Sequence, residues 1–305
     1  MSENFSELVK AAMAQESVAK MQPVVEKELL HYDILFCLEK AGLLNDLVFQ
    51  GGTSLRLCRG GSRFSEDLDF AGGADFSSEK LQPIKTCIEN YIGERYGLEV
   101  TVKEPSALKK LPEYAELKID KWQIAVVTSP EQKHIPKQKI KLEVANIPAY
   151  HPEPVALTVN YQFLPDSYAQ TILVAESLDE ILADKIISLP ATQKYVRYRD
   201  VWDLVWLIQQ GAKLNIELVE LKIKDYQLDT FETMLNTLIL KLKQIVISNE
   251  FKQQMERFLP TDVVERTLEE PKFIQYLENT LLKLFKDVAQ SLYQSSSAAE
   301  IEFKM

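Results

Sequence analysis

Apolar residues recur along this chain with two periods, and the switch between them marks out the elements. Over residues 24–41, Val25, Leu29, Tyr32, Leu35 and Leu38 repeat at helical spacing, and Gly42 stands where a left-handed residue would end the helix. The run Leu47-Val48-Phe49 predicts a strand leading into Gly51 and Gly52, with Thr53 placed as the N-cap of a helix that carries Leu55 and Leu57. Residues 64–70 read as a strand with Phe64, Leu68 and Phe70 on one face and Ser65, Asp67 and Asp69 on the other. Ser77 or Ser78 then opens a helix bearing Leu81, Ile84, Ile88, Tyr91 and Ile92, ended by Gly97. Further strands are expected over 98–102, 123–128 and 140–144, and over 155–163, where Val155, Leu157, Val159, Tyr161 and Phe163 alternate strictly. Residues 103–121 carry no clear pattern.

Beyond this the period is helical. Ser177-Leu-Asp-Glu180 is a capping box opening a helix that Pro190 closes, and 197–208 predicts a second helix. Residues 214–246, 251–259 and 273–292 read as amphipathic helices, and the polar end, 295–305, as a mobile tail. The expected fold is α/β (α+β): a mixed sheet flanked by helices over residues 1–210, followed by a helical C-terminal region over 211–305.

With 46% of its 305 residues hydrophobic, the chain can bury a sizeable core. No apolar run is long enough to span a bilayer and the N-terminus is too polar for a signal peptide, so a cytoplasmic protein is expected. Cys37, Cys58 and Cys87 lack Cys-x-x-Cys spacing, and His31, His134 and His151 lack zinc-ligand spacing, so no structural metal is expected. A net charge of −10 argues against a protein that coats nucleic acid with a wide basic surface. It leaves room for local patches, and Lys133, Lys137, Lys139 and Lys141 make one, alongside Arg56, Arg59 and Arg63. Solvated lysines on a strand and loop are the plainer reading of the first group.

The chemistry concentrates in residues 49–70. A chain turning through Gly51 and Gly52 into a helix leaves backbone N–H groups pointing outward, and with the helix dipole these suit a phosphate. Two carboxylates projecting together, Asp67 and Asp69, repel unless a cation lies between them, and hard oxygen ligands suit Mg²⁺ carried by a nucleoside triphosphate. Glu143, in Ile140-Lys-Leu-Glu-Val144, is either a third carboxylate or an ordinary exposed residue of an edge strand. Farther on, Lys185 lies within an apolar helical stripe and Asp203 is embedded among Val201, Trp202, Leu204 and Val205. Each needs a partner or an outlet to solvent. An Arg199 to Asp203 pair at i,i+4 is the bland account of the aspartate.

Gly51-Gly-Thr-Ser54 followed by Arg63-Phe-Ser-x-Asp67-Leu-Asp69-Phe resembles the signature of DNA polymerase β-type nucleotidyltransferases, and more narrowly that of AbiEii-type abortive-infection toxins. Asp-Lys185 followed by Arg199-Asp-x-x-Asp203-Leu resembles the downstream signature of the same family. The resemblance implies a nucleotidyltransferase in which Asp67, Asp69 and tentatively Glu143 hold Mg²⁺. It places Gly51, Gly52, Thr53, Ser54, Arg56, Arg63 and Ser65 around the nucleotide, and has Lys185 and Asp203 complete the site. It also implies transfer of a nucleotide from an NTP to an acceptor such as a tRNA 3′ end, other RNA or a protein, and a separately encoded antitoxin. A glycosyltransferase using Asp-x-Asp, or a non-catalytic nucleotide-binding protein, are the competing classes.

Overall fold

The computed structural model describes residues 3–14, 16–105, 119–132 and 134–294; most of the unpatterned stretch over 103–121, together with Lys133 and the polar tail from 295, lies outside them. Strands form one mixed sheet of seven: β1 (Val48–Gln50), β2 (Leu68–Ala71), β3 (Val100–Lys103), β4 (Ile119–Val126), β5 (Gln138–Ala145), β6 (Pro152–Ala156) and β7 (Ile172–Glu176), in the order β3-β4-β5-β2-β1-β7-β6. β2 pairs parallel with β5 and β1 with β7; the remaining pairs are antiparallel. No helix among the described residues is long and apolar enough to cross a membrane.

Alternation sends Phe49, Leu68, Phe70, Leu142, Val144, Trp122 and Ile124 to one buried face of the sheet, where Phe49 and Phe70 stack with centroids 5.0 Å apart. Helices α1 (Phe5–Ala12), α2 (Gln22–Lys40), α3 (Gly51–Cys58), α4 (Ile84–Tyr96) and the short α5 (Asp166–Ala169) accompany the strands. α2 packs on β5 and α4, and α4 packs on β3. Gly42 (φ +69°) and Gly97 (φ +68°) are both left-handed, as their places at the ends of α2 and α4 require.

Three expectations change. The strand expected over 64–70 begins only at Leu68, and its first four residues form a lead-in outside the sheet. Ser77 caps a 3₁₀ turn, Ser78–Leu81, and Pro83, which has no N–H, restarts the chain as α4. The strand expected over 155–163 ends at Ala156, because its backbone finds other partners: Thr158 N–H donates to Leu57 O at 2.7 Å, and Thr158 O accepts from the Tyr32 hydroxyl at 2.6 Å. The later alternating residues serve a side-chain stack, Tyr161 on Phe163 at 5.5 Å. β6 keeps Pro152 and Pro154 because it is the sheet edge, where a missing N–H breaks no ladder. β7 has no polar alternation to reveal it, since its exposed positions are Ile172 and Val174.

Compactness divides the chain into Met1–Glu176 and Ser177–Met305, so the helices carrying Lys185 and Asp203 belong to the second unit and not to the first 210 residues as a single domain. The second unit is helical: α6 (Leu178–Ala191), α7 (Tyr198–Gln209), α8 (Ile216–Asp225), α9 (Phe231–Val246), α10 (Asn249–Glu256), α11 (Thr261–Arg266) and α12 (Pro271–Ala289). Ser177 caps α6, accepting from Glu180 N–H at 3.2 Å, and the expected single helix over 214–246 is interrupted where Gln227 takes φ +53°.

A buried polar network ties the first unit's helices together. Asp33 on α2 accepts from Arg95 at 2.6 Å, from Tyr168 at 2.5 Å and from Tyr96 at 3.0 Å. Burial pushes the Asp33 carboxyl up to about 6, and Arg95 with the two phenols offsets only part of that shift. Below pH ~4 the group is neutral folded or unfolded. From there to about pH 6 the folded chain keeps a proton that the unfolded chain releases, so stability falls as pH rises, by about 3 kcal/mol in total. Denaturant unfolding of wild type and Asp33→Asn at a series of pH values should show the wild type losing about 3 kcal/mol relative to the variant across that window. A constant difference would refute the assignment.

Candidate active site

The turn from β1 into α3 is built for close approach. Gln50, with an extended backbone, is the N-cap residue, which displaces Thr53 from that expected role. Thr53 sits inside the first turn, where its hydroxyl donates to the Asp67 carbonyl and ties α3 to the lead-in of β2. Gly51 is left-handed (φ +76°), and a Cβ there would lie 2.8 Å from Asp69 Oδ2. A Cβ on Gly52 would lie 2.2 Å from Arg63 Nη2 and 3.1 Å from Ser65 Oγ. The two glycines therefore let a carboxylate and a guanidinium close onto the start of α3 from opposite partners. Ser54 is fully buried beneath them, and Arg63 and Ser65 are buried as well.

Strand register assembles the rest. On the face of the sheet opposite the core, Gln50 stands beside Asp69, Asp69 beside Glu143, and Glu143 beside Lys121, a row across four strands. Neighbouring strands are about 4.8 Å apart, so these side chains are adjacent. Glu143 is thus next to Asp69 on an interior strand, and its carboxylate pairs with Lys121 at 2.7 Å. Asp67 lies just before β2, where its carboxylate accepts from Lys141 N–H at 3.2 Å. On the side of the row away from Asp67 lies a small apolar patch of Ala71, Ala145 and Ile147. Gln50 and Lys121 carry no sequence motif; only the pairing register brings them in.

The lead-in is held from α2. Glu66 pairs with Lys27 at 2.7 Å and its carbonyl meets His31 Nε2 at 3.0 Å. Arg56, expected near phosphate, is held in a two-point pair with Glu28 of α2 (2.7 and 3.1 Å) and donates to Gly61 O at 3.0 Å. Its guanidinium lies over the Phe64 ring, 4.3 Å from the centroid. These contacts make Arg56 a positioning residue for the 61–66 loop. Arg59 likewise binds Glu153 and the Glu176 carbonyl.

In the second unit Lys185 finds counter-charges: its ammonium lies 2.8 Å from Asp200 and 2.8 Å from Asp203. Asp200 also accepts from Ser188 at 3.0 Å and pairs with Arg197. Burial alone would raise the Asp200 carboxyl, but the charges of Lys185 and Arg197 outweigh it and hold it well below the usual carboxylate range. Arg199 places its guanidinium over Phe258, 4.9 Å from the ring centroid. Asp200, adjacent to Arg199 in the sequence motif, was legible but had no role until the structure gave it one. A second buried ammonium, Lys222, bridges Glu180 at 2.8 Å and Asp184 at 3.1 Å between α8 and α6.

Comparison with known sequences places the chain in a family. Residues 33–279 match the family described as nucleotidyl transferase AbiEii toxin, type IV TA system, and the chain belongs to that family. It is a nucleotidyltransferase of the type IV toxin–antitoxin class, which implies a cognate antitoxin. Among solved structures it is similar to JHP933 from Helicobacter pylori (17% identity, 91% of this chain and 97% of that chain covered, TM-score 0.43). It is also similar to a candidate nucleotidyltransferase from H. pylori (18% identity, 89% and 96% covered, TM-score 0.47). No curated protein matches the chain.

Gly51→Ala should lower stability by about 1–2 kcal/mol through its left-handed backbone alone, which thermal unfolding checks. Lys222→Met, which removes the ammonium shared by the buried Glu180 and by Asp184, should cost about 3–5 kcal/mol by denaturant unfolding. A loss below 1 kcal/mol, roughly the worth of a surface pair, would contradict its burial.

Proposed function

We propose that the protein transfers a nucleoside monophosphate from an NTP to an acceptor hydroxyl in a Mg²⁺-dependent reaction, that the acceptor is a tRNA 3′ end, and that this transfer is its toxic act. The observation that carries the reading is the register that sets Asp69 beside Glu143, with Asp67 close by, at the glycine turn into α3.

The residues suit a divalent ion brought in by the triphosphate. Among the described residues no three His, Cys, Asp or Glu side chains converge as a ready-made cation cage. Mg²⁺ bound with nucleotide commonly needs only one or two carboxylates, the phosphates supplying the rest. Asp67 and Asp69 provide these, with Glu143 next in the row. Gln50 Oε1, buried and without a hydrogen-bond partner among the described residues, adds a neutral oxygen donor beside Asp69. When bound, the ion neutralises the phosphates and stabilises charge on the entering and leaving oxygens.

The chain's own groups do the positioning. Backbone N–H groups at Gly51 to Ser54 receive the phosphates at the positive end of α3, and Arg63 and Ser65 lie over Gly52 to meet them. The acceptor hydroxyl adds in line to the α-phosphorus while the bond to pyrophosphate breaks, and its proton passes to a neighbouring carboxylate. Lys185, with Asp203 fixing its ammonium, is required for the same reaction by the resemblance of its motif.

Incubation with Mg²⁺ and each α-³²P-labelled NTP, with total RNA and total protein offered together, should label RNA with one nucleotide and release pyrophosphate. Asp67→Asn and Asp69→Asn should each reduce labelling by on the order of a hundredfold or more while the protein stays folded. Expression of wild type without antitoxin should arrest bacterial growth, and Asp67→Asn should relieve it. Label in protein alone would turn the reading to protein nucleotidylation; NTP binding with no transfer to either would leave a binding protein.

A further inference from the structure

The outer face of β3, β4 and β5 carries lysine side chains beside the row of Asp69 and Glu143. One step of two residues beyond the acid row, Lys141 faces Gln123, which faces Lys103; a further step on, Lys139 faces Ala125, which faces Thr101. At about 3.3 Å per residue these rows lie about 7 and 13 Å from Glu143 along β5. Lys103, Lys139 and Thr101 are exposed, and none of the six residues in the two rows is acidic. In a chain of net charge −10 this is a local reversal of sign. Lysine on an edge strand commonly blocks sheet-to-sheet pairing, which accounts for Lys103 on β3 but not for Lys139 and Lys141, whose strand lies between β4 and β2.

We propose that this strip is the seat of a single-stranded RNA, whose phosphates lie along Lys103, Lys139 and Lys141 while its 3′ end reaches the acid row. Charge complementarity selects the occupant: a lysine is a point charge suited to a backbone phosphate, and Gln123 and Thr101 add neutral donors and acceptors between them. The rows lead directly to the carboxylates, so a strand bound here delivers its terminal hydroxyl to them. The inference rests on the reading that RNA is the acceptor, and it names which surface holds that acceptor.

The test measures binding and transfer separately. A fluorescein-labelled, short single-stranded RNA is titrated with the full chain by anisotropy without NTP, across a salt series. The wild type should bind with an affinity that falls as salt rises. Lys103→Gln with Lys139→Gln should weaken binding roughly tenfold or more and make the log–log salt slope shallower by about 1.4, two phosphate contacts' worth for a single strand. The RNA KM of transfer should rise in step, with NTP binding unchanged. The charge-matched pair Lys20→Gln with Lys80→Gln, exposed elsewhere on the first unit, should behave as wild type. RNA affinity and slope unaltered in the Lys103/Lys139 variant, or no RNA binding by wild type, overturns the seat. RNA held through the strip while label enters only protein sustains the seat and instead removes the assignment of RNA as acceptor.

Discussion

Everything chemical in the first unit hangs on the register between β1, β2, β5 and β4. Side chains alternate strictly along a strand, so a slip of one residue would turn Asp69 or Glu143 into the apolar core and bring Phe70 or Val144 out. The core face resists such a slip, since Phe49, Leu68, Phe70, Leu142 and Val144 are all buried there. Hydrophobic packing on one side of the sheet thereby fixes polar geometry on the other. The carboxylates, which repel one another, contribute nothing to this choice and are placed by it.

A second constraint is the holding of charges by buried counter-charges. Glu28 on α2 secures Arg56, Lys27 secures Glu66, and Asp33 gathers Arg95 with two tyrosines. α2 is thus a polar frame as well as a packing helix, and it fixes the loop from which Asp67 projects. The second unit repeats the device with Lys185 between two aspartates and Lys222 between Glu180 and Asp184. Such pairs add modest net stability but strongly penalise any arrangement that separates them.

The sequence made local features plain where one residue suffices to dictate them. Gly42 and Gly97 ended their helices, Ser177 capped α6, and the two motifs led to the family. It was silent where a feature depends on partners distant in the chain. Gln50 and Lys121 lie in unremarkable surroundings until pairing sets them in the acid row. β7 escaped because both of its faces are apolar, and residues 157–163 imitated a strand because alternation also suits a looping segment whose backbone bonds to α2 and α3. The pairing of Arg56 with Glu28 was hidden because Glu28 lies on another helix. Residue 210 looked like a boundary because strand signals have ceased by then, yet they cease earlier, after Glu176, and compactness follows the strands.

The acid row joins positions 50, 69, 121 and 143 through parallel and antiparallel pairings that close long loops. Contacts so distant along the chain form late, after local helices and turns. During synthesis the Gly51–Gly52 turn and Asp67 leave the ribosome well before β5 exists to complete the row. In a nascent chain or an early truncation the row is therefore incomplete, and its four side chains stand together only once the sheet has closed.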